Sequence, residues 1–233
     1  MTIKAWQGPS TIDGKDIMAV VSCEKRPSKN DKTGDMVQVA FFSTAEKPVI
    51  AAHKTGDDES VCGSCLLRPK VWTKEVSKKP CYVGVHWMAA QWAAAMRLGE
   101  DLGAAVGAMG AKPVRFGQYG NMSSILRAVA ERLLEGASKW TLYEHEWMKP
   151  ENQWLRHFAM ASVHSEHQAI TAQRMGWRTF RNREEGEPLL DTECQCPYET
   201  RGVQCKDCLL CDGKRKGPKK DKRKSVAVYT HGG

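Results

Sequence analysis

Residues Lys112–Trp147, KPVRFGQYGNMSSILRAVAERLLEGASKWTLYEHEW, carry the pattern that decides the fold. Pro113–Tyr119 is a short apolar and aromatic run that reads as a strand. Ser124–Gly136 places Ile, Leu, Val and Ala at helical spacing, with Ser123 or Ser124 available as the N-cap. Trp140–Trp147 reads as strand again. The rhythm repeats in residues 157–182, HFAMASVHSEHQAITAQRMGWRTFRN. There His157–His164 reads as strand, Ser165–Gly176 as a helix capped by Ser165, and Trp177–Asn182 as strand. Ser225–His231 supplies a last strand. Strands separated by single helices predict βαβ units, hence an α/β fold with a parallel sheet, either a partial barrel or an open sheet.

Working outward toward the N-terminus, the pattern changes to β. Ile17–Cys23 and Met36–Ser43 are apolar, β-branched runs flanking the turn-rich KRPSKNDKTGD, which predicts an antiparallel hairpin. Pro48–His53 reads as a third short run. The Ala- and Met-rich stretch after Cys81 predicts a helix with a buried face, ended by Gly103–Gly110, in which His86, Trp87 and Trp92 are packing residues. The chain thus divides into an N-terminal β-hairpin region (1–53), a β/α core (54–192) and a Cys-rich segment with a final strand (193–233). A length of 233 residues is enough for a sizeable core.

The nine cysteines fall into two groups and one outlier, Cys23. Cys62-x-x-Cys65 is followed, after fifteen intervening residues, by Cys81, and Cys194, Cys196, Cys205, Cys208 and Cys211 crowd the tail. The N-terminus lacks the apolar core of a signal peptide, and no run of eighteen apolar residues exists. The expected location is therefore the cytoplasm, where thiols stay reduced and clustered ones bind metal. All eight grouped cysteines are candidate metal ligands. Cys62, Cys65 and Cys81 would hold zinc, completed by a fourth residue such as Cys23, Cys194, His53 or His86, or a 4Fe–4S cluster with one iron left open. The tail spacing suits a zinc knuckle or half of a ferredoxin-type pattern. Five thiols exceed what one tetrahedral ion uses, so Cys194 is the candidate to join the first group.

Parallel β/α folds place ligands at the carboxyl ends of their strands. Those ends carry Gln118, Tyr119 and Asn121, then Tyr143, Glu144, His145 and Glu146, then Ser162 and His164, then Arg181 and Asn182, and finally Tyr229, Thr230 and His231. Tyr119, Asn121, Glu144 and His145 are the candidates for binding and proton transfer. Adjacent residues of a strand face opposite sides, so of Glu144 and His145 only one can face the pocket, and His145 is favoured. Gly117 and Gly120 would let backbone approach a ligand, or serve as turn residues. Nearly all of the net charge of +8 sits in residues 214–224, KRKGPKKDKRK. Lys214, Arg215, Lys216, Lys219, Lys220, Lys222, Arg223 and Lys224 there form either a DNA- or RNA-binding arm or a solvated loop.

RFGQYGN, WTLYEHEW, FAMASVHS, RMGWRTFR and the tail motifs CPYE, CKDCLLCDG and SVAVYTHG together resemble a family of uncharacterised bacteriophage proteins over roughly residues 50–233. In that family Asp stands more often where this chain has Asn121. A looser architectural likeness is to radical S-adenosylmethionine enzymes, with a three-cysteine loop after an early strand and β/α units in a partial barrel. That likeness implies a catalytic cluster on Cys62, Cys65 and Cys81, an auxiliary cluster on the tail cysteines and S-adenosylmethionine as co-substrate. The tight Cys-x-x-x-Cys-x-x-Cys of those enzymes is absent here. Two functions compete: an iron–sulfur enzyme modifying a nucleotide, nucleic acid or peptide, and a zinc-stabilised nucleic-acid-binding protein.

Overall fold

The computed structural model describes residues 1–23, 30–73, 81, 83–110, 112–215 and 221–230. Its strands form two five-stranded sheets. The first runs β1 (Thr2–Pro9), β2 (Asp16–Ser22), β3 (Val37–Ser43), β4 (Val114–Phe116) and β5 (Trp140–Thr141), in that order. The second runs β6 (Tyr143–Glu144), β7 (Met160–Val163), β8 (Thr179–Arg183), β10 (Ser225–Tyr229) and β9 (Glu193–Gln195). The fold is mixed α/β with parallel sheets and an N-terminal antiparallel hairpin. Ile17 pairs with Ser43 and Val21 with Val39 in that hairpin, and every described pairing from β3 onward is parallel.

The expected strand at 140–147 is where the two sheets meet. Leu142 separates β5 from β6 and turns its amide away to the Cys211 carbonyl (2.9 Å), while its own carbonyl accepts from Met160 (3.0 Å). The tail is therefore built into the sheet junction. A further strand, β1, lies outside the hairpin and was not foreseen, because its alternation TIKAWQGP is mostly polar. β9 was also missed: it begins inside the cysteine-rich segment.

Several local expectations are corrected. Pro48–His53 is helical, as Pro48–Ile50 followed by a π-turn Ala51–Thr55 that Gly56 ends in the left-handed region. Proline at the first helical position presets that geometry. The first cysteine group thus follows a helical turn. Gly103–Gly110 does not break the chain; Leu102–Met109 is a helix in its own right, with Asp101 accepting from the Ala104 amide at 2.8 Å. The helix Arg127–Glu135 has no side-chain cap, since Ser123 is committed to Glu144 and Ser124 to the Asn121 carbonyl. Ser165 does cap Glu166–Arg174. Residues Pro150–His157 form a long 3-10 helix that sequence periodicity did not reveal.

The main apolar cluster spans β2, β3, β4 and the helices that cover them, with Phe41, Phe42, Phe116, Met109 and Leu133 fully buried. A smaller cluster of Met160, Phe180, Val226 and Val228 includes Cys196 and Cys211. No helix among the described residues is long and apolar enough to cross a membrane. Across the second sheet, the buried Arg181 of β8 clasps Glu193 at the start of β9 with paired contacts of 2.9 and 2.7 Å. Both side chains are shielded from water, so Arg181, expected at the rim, is a structural residue. Arg181→Met leaves Glu193 charged and unpaired, and should lower unfolding free energy by about 3–5 kcal/mol in urea melts. Arg181→Met with Glu193→Leu should recover most of that loss.

Candidate functional site

The carboxyl ends of β4, β6, β7 and β8 surround a cavity of ≈ 80 Å³. From the first cysteine loop come Cys62, Cys65 and Cys81; from the strand ends come Tyr119, Asn121, Tyr143, His145, Ser162, Phe180 and Asn182. The loop Gly117–Asn121 reaches this position by folding tightly onto its neighbours. At Gly120, in the left-handed region, a Cβ would stand 3.0 Å from Phe41 and 3.1 Å from Val61. That glycine serves chain packing.

Asn121 fastens three walls of the cavity together. Its amide donates to the Val61 carbonyl (2.6 Å) and its side-chain nitrogen to the Cys62 carbonyl (2.9 Å). Its side-chain oxygen faces His145 Nδ1 at 2.8 Å. An amide oxygen only accepts, so Nδ1 carries the proton and Nε2 is left as an acceptor. Burial lowers the His145 pKa, and the charges of Glu144 and Glu146 oppose this. The His145 ring stacks on His164 at 6.4 Å between centroids.

Glu144 does not line this cavity. It is fully buried behind it, accepting from the Ser123 hydroxyl (2.8 Å) and from the amides of Ser123 (3.2 Å) and Glu146 (2.9 Å). Burial raises its pKa. Its place is structural, holding the 3-10 turn Met122–Ser124 against the strand. Tyr119 is 4% exposed and its hydroxyl has no partner among the described residues. His164 Nε2 is likewise buried with no partner among them.

The first cysteine loop is held by Arg68, whose guanidinium meets Asp58 at 2.9 Å in a buried pair and also reaches the Gly63 (3.1 Å) and Gly56 (2.8 Å) carbonyls. Sequence reading passed over this pair, since nothing in RPKVW marks Arg68 as buried. The three thiols line one cavity; burial raises the Cys62 pKa, and Cys65, Asp58 and Cys81 add to the rise. Burial pushes Cys65 and Cys81 up to about 11 each. Backbone amides of Leu67 and Arg68 at Cys65, and of Val83 at Cys81, pull the other way. An amide directed at a cysteine sulfur from two residues downstream favours the thiolate that a metal requires.

The tail cysteines gather on the other side of the Tyr143–Phe180 ring pair, whose centroids are 4.3 Å apart. Cys196, Cys205, Cys208 and Cys211 influence one another, and the Tyr143 hydroxyl is directed at Cys211. Leu209 sits in the left-handed region (φ 51), a costly position for a branched side chain, and so turns the chain between Cys208 and Cys211. Cys194 stays with this group: its sulfur donates to the Ser225 carbonyl (3.4 Å), and Cys208 and Cys196 are the thiols that act on it. Cys23 stands apart, with its sulfur 3.7 Å from the Ala108 carbonyl. All nine cysteines are free. Among the described residues no three His, Cys, Asp or Glu side chains yet close into a metal-holding geometry. The donor chemistry nonetheless fits: two groups of buried or half-buried, unbridged thiols with amides directed at three of their sulfurs.

The tail also clasps the N-terminal region, through the amides of Cys205 to the Lys32 carbonyl (2.8 Å) and of Lys206 to the Thr33 carbonyl (3.1 Å). Of the basic stretch, Arg223 is spent internally on Asp212 and Asp221, and Asp221 also accepts from the Arg215 amide at 3.0 Å. Carbonyls of Lys214 and Lys224 bond His157 and Arg178. Lys222 lies beside Arg223, whereas Lys216, Lys219 and Lys220 lie outside the described residues, as does His231.

His164 gives a pH prediction. Burial, helped by His145, lowers its pKa from 6.5 to about 4. The unfolded chain therefore binds a proton that the folded one rejects, and stability falls as pH drops from 6.5 toward 4. His164→Gln should lose less stability than wild type over that window, by about 1–3 kcal/mol in paired denaturant melts. Comparison of the chain with protein-family models, curated proteins and solved structures finds no match.

Proposed function

We propose that this chain is a metal-dependent enzyme whose reaction centre is a 4Fe–4S cluster on Cys62, Cys65 and Cys81. The observation that carries the reading is the shared cavity: those three cysteines and His145 line one space at the carboxyl ends of four strands. A purely structural metal has no need of an imidazole acceptor and an unpartnered phenol on its open side. Three thiolates leave one iron without a protein ligand, and such a cluster supplies an electron and an open coordination position to a co-substrate such as S-adenosylmethionine.

The chain's own residues supply the rest. Asn121 holds His145 so that Nε2 can take or return a proton, and Tyr119 offers an unspent hydroxyl. Tyr143 and Phe180 close the far wall and keep water out. The tail cysteines hold a second metal beyond that wall and lock the sheet junction at Leu142, with DNA or RNA as a partner for the basic residues beside them.

Anaerobic purification tests the reading. The protein should be brown, with visible absorbance from thiolate-bound iron. Cys62→Ala, Cys65→Ala and Cys81→Ala combined should remove part of the iron and leave the chain folded. Colourless protein holding stoichiometric zinc after anaerobic reconstitution would favour the rival, a zinc-stabilised nucleic-acid-binding protein, and would rule this centre out.

A further inference from the structure

Beside the small cavity lies a larger one of ≈ 510 Å³, and the two share Val83, Arg115 and Gln118 in their walls. Its floor is a polar row that the strand register assembles. Thr2 pairs with Ser22, Ser22 with Gln38, and Gln38 with Arg115, across β1, β2, β3 and β4. Residues in register point to the same face of a sheet, so four polar side chains stand in line on the inner surface. Core strands gain nothing from such a row, because each buried polar group costs stability unless it finds a partner.

The partners are incomplete. Ser22 accepts from the Gln91 side chain at 2.6 Å. Gln38 is 6% exposed and donates to the Met36 carbonyl (3.2 Å), yet its side-chain oxygen accepts from no described residue. The Gln118 side-chain oxygen is also buried and has no partner among the described residues. Arg115 has no ion-pair partner among the described residues. It lines both cavities, which places it at the neck between them. At the outer wall Trp87 is 89% exposed, against the sequence expectation that it packs.

We propose that this larger cavity binds a nucleotide, with its phosphate on Arg115 and its base stacked on Trp87. Each feature matches one part of that ligand. The guanidinium is a fork for phosphate oxygens. The bare indole face offers a stacking platform that any base can use. The two amide oxygens require N–H donors, which the exocyclic amines of adenine, guanine and cytosine provide. The volume lies within the range that small-molecule sites occupy. A ligand so held lies across Arg115 from Cys81 and His145. Its role as substrate rests on the enzyme reading above; its binding does not.

The protein as purified is titrated by calorimetry with 5′-mononucleotides, the matching nucleosides, inorganic phosphate and short single-stranded oligonucleotides, with metal content measured on the same samples. The nucleotide should bind about tenfold or more tightly than either the nucleoside or phosphate. Arg115→Gln should weaken nucleotide binding about tenfold and leave nucleoside binding unchanged. Trp87→Ala should weaken both alike, with no change in melting temperature, since the ring is exposed. Binding of the oligonucleotide alone, with the same dependence on Arg115 and Trp87, upholds the site and assigns the nucleotide to a strand. Nucleotide binding no tighter than phosphate, variants that bind as wild type, or no binding overturns the proposal. Iron-free protein that still binds nucleotide through Arg115 overturns the metal reading alone.

Discussion

The candidate site depends on the single side chain of Asn121. It is 1% exposed and satisfies its hydrogen-bonding capacity on two separate pieces of chain, the Cys62 backbone and the His145 ring. Loops that carry thiols have little packing of their own to fix them. Here one loop is pinned from below by Arg68 and Asp58 and from the side by Asn121. The same contact selects the His145 tautomer, so positioning of the thiols and of the imidazole is one constraint. An Asp at this position would accept at both oxygens and lose the bond to the Cys62 carbonyl.

The tail is tied to this centre from the opposite side. Cys211 contributes its carbonyl to Leu142 in the sheet junction and its sulfur to the Tyr143 hydroxyl. Tyr143 and Phe180 form the partition between the two cysteine groups. The sheet is continuous in function because the tail fills the gap where β5 gives way to β6. Arg115 bears on both groups at once and opens toward the larger cavity. The first thiol group, Arg115 and the polar row thus line two adjoining cavities where the first sheet gives way to the second.

Much of the architecture was legible because its signals are local. Strand and helix alternate with the expected period from Val114 to Arg183, and a parallel sheet follows from that alternation. The rule that ligands gather at carboxyl ends then brought Tyr119, Asn121, His145, Ser162 and Asn182 forward before any coordinate was known. The opposite facing of Glu144 and His145 was readable from strand geometry alone. What was not legible depends on long-range contacts. The polar row Thr2, Ser22, Gln38 and Arg115 comes from four strands, and only the register assembles it. The helical turn at Pro48 and the 3-10 helix at Pro150–His157 lack a strong period. Arg181 and Arg68 look like surface residues until their buried carboxylates, Glu193 and Asp58, are placed. Trp87 was assigned to packing because an aromatic beside an apolar helix usually belongs there.

The central claim is that Cys62, Cys65 and Cys81 hold an iron cluster facing the cavity, and X-ray absorption at the metal edge tests it most directly. The sample is anaerobic protein carrying Cys194→Ser, Cys205→Ser and Cys208→Ser, which leaves two thiols in the tail and keeps all three of the first group. The account predicts an iron edge with sulfur neighbours at about 2.3 Å, as thiolate-bound metals show, and a further iron–iron distance. A zinc edge with four neighbours and no metal–metal scattering would contradict it.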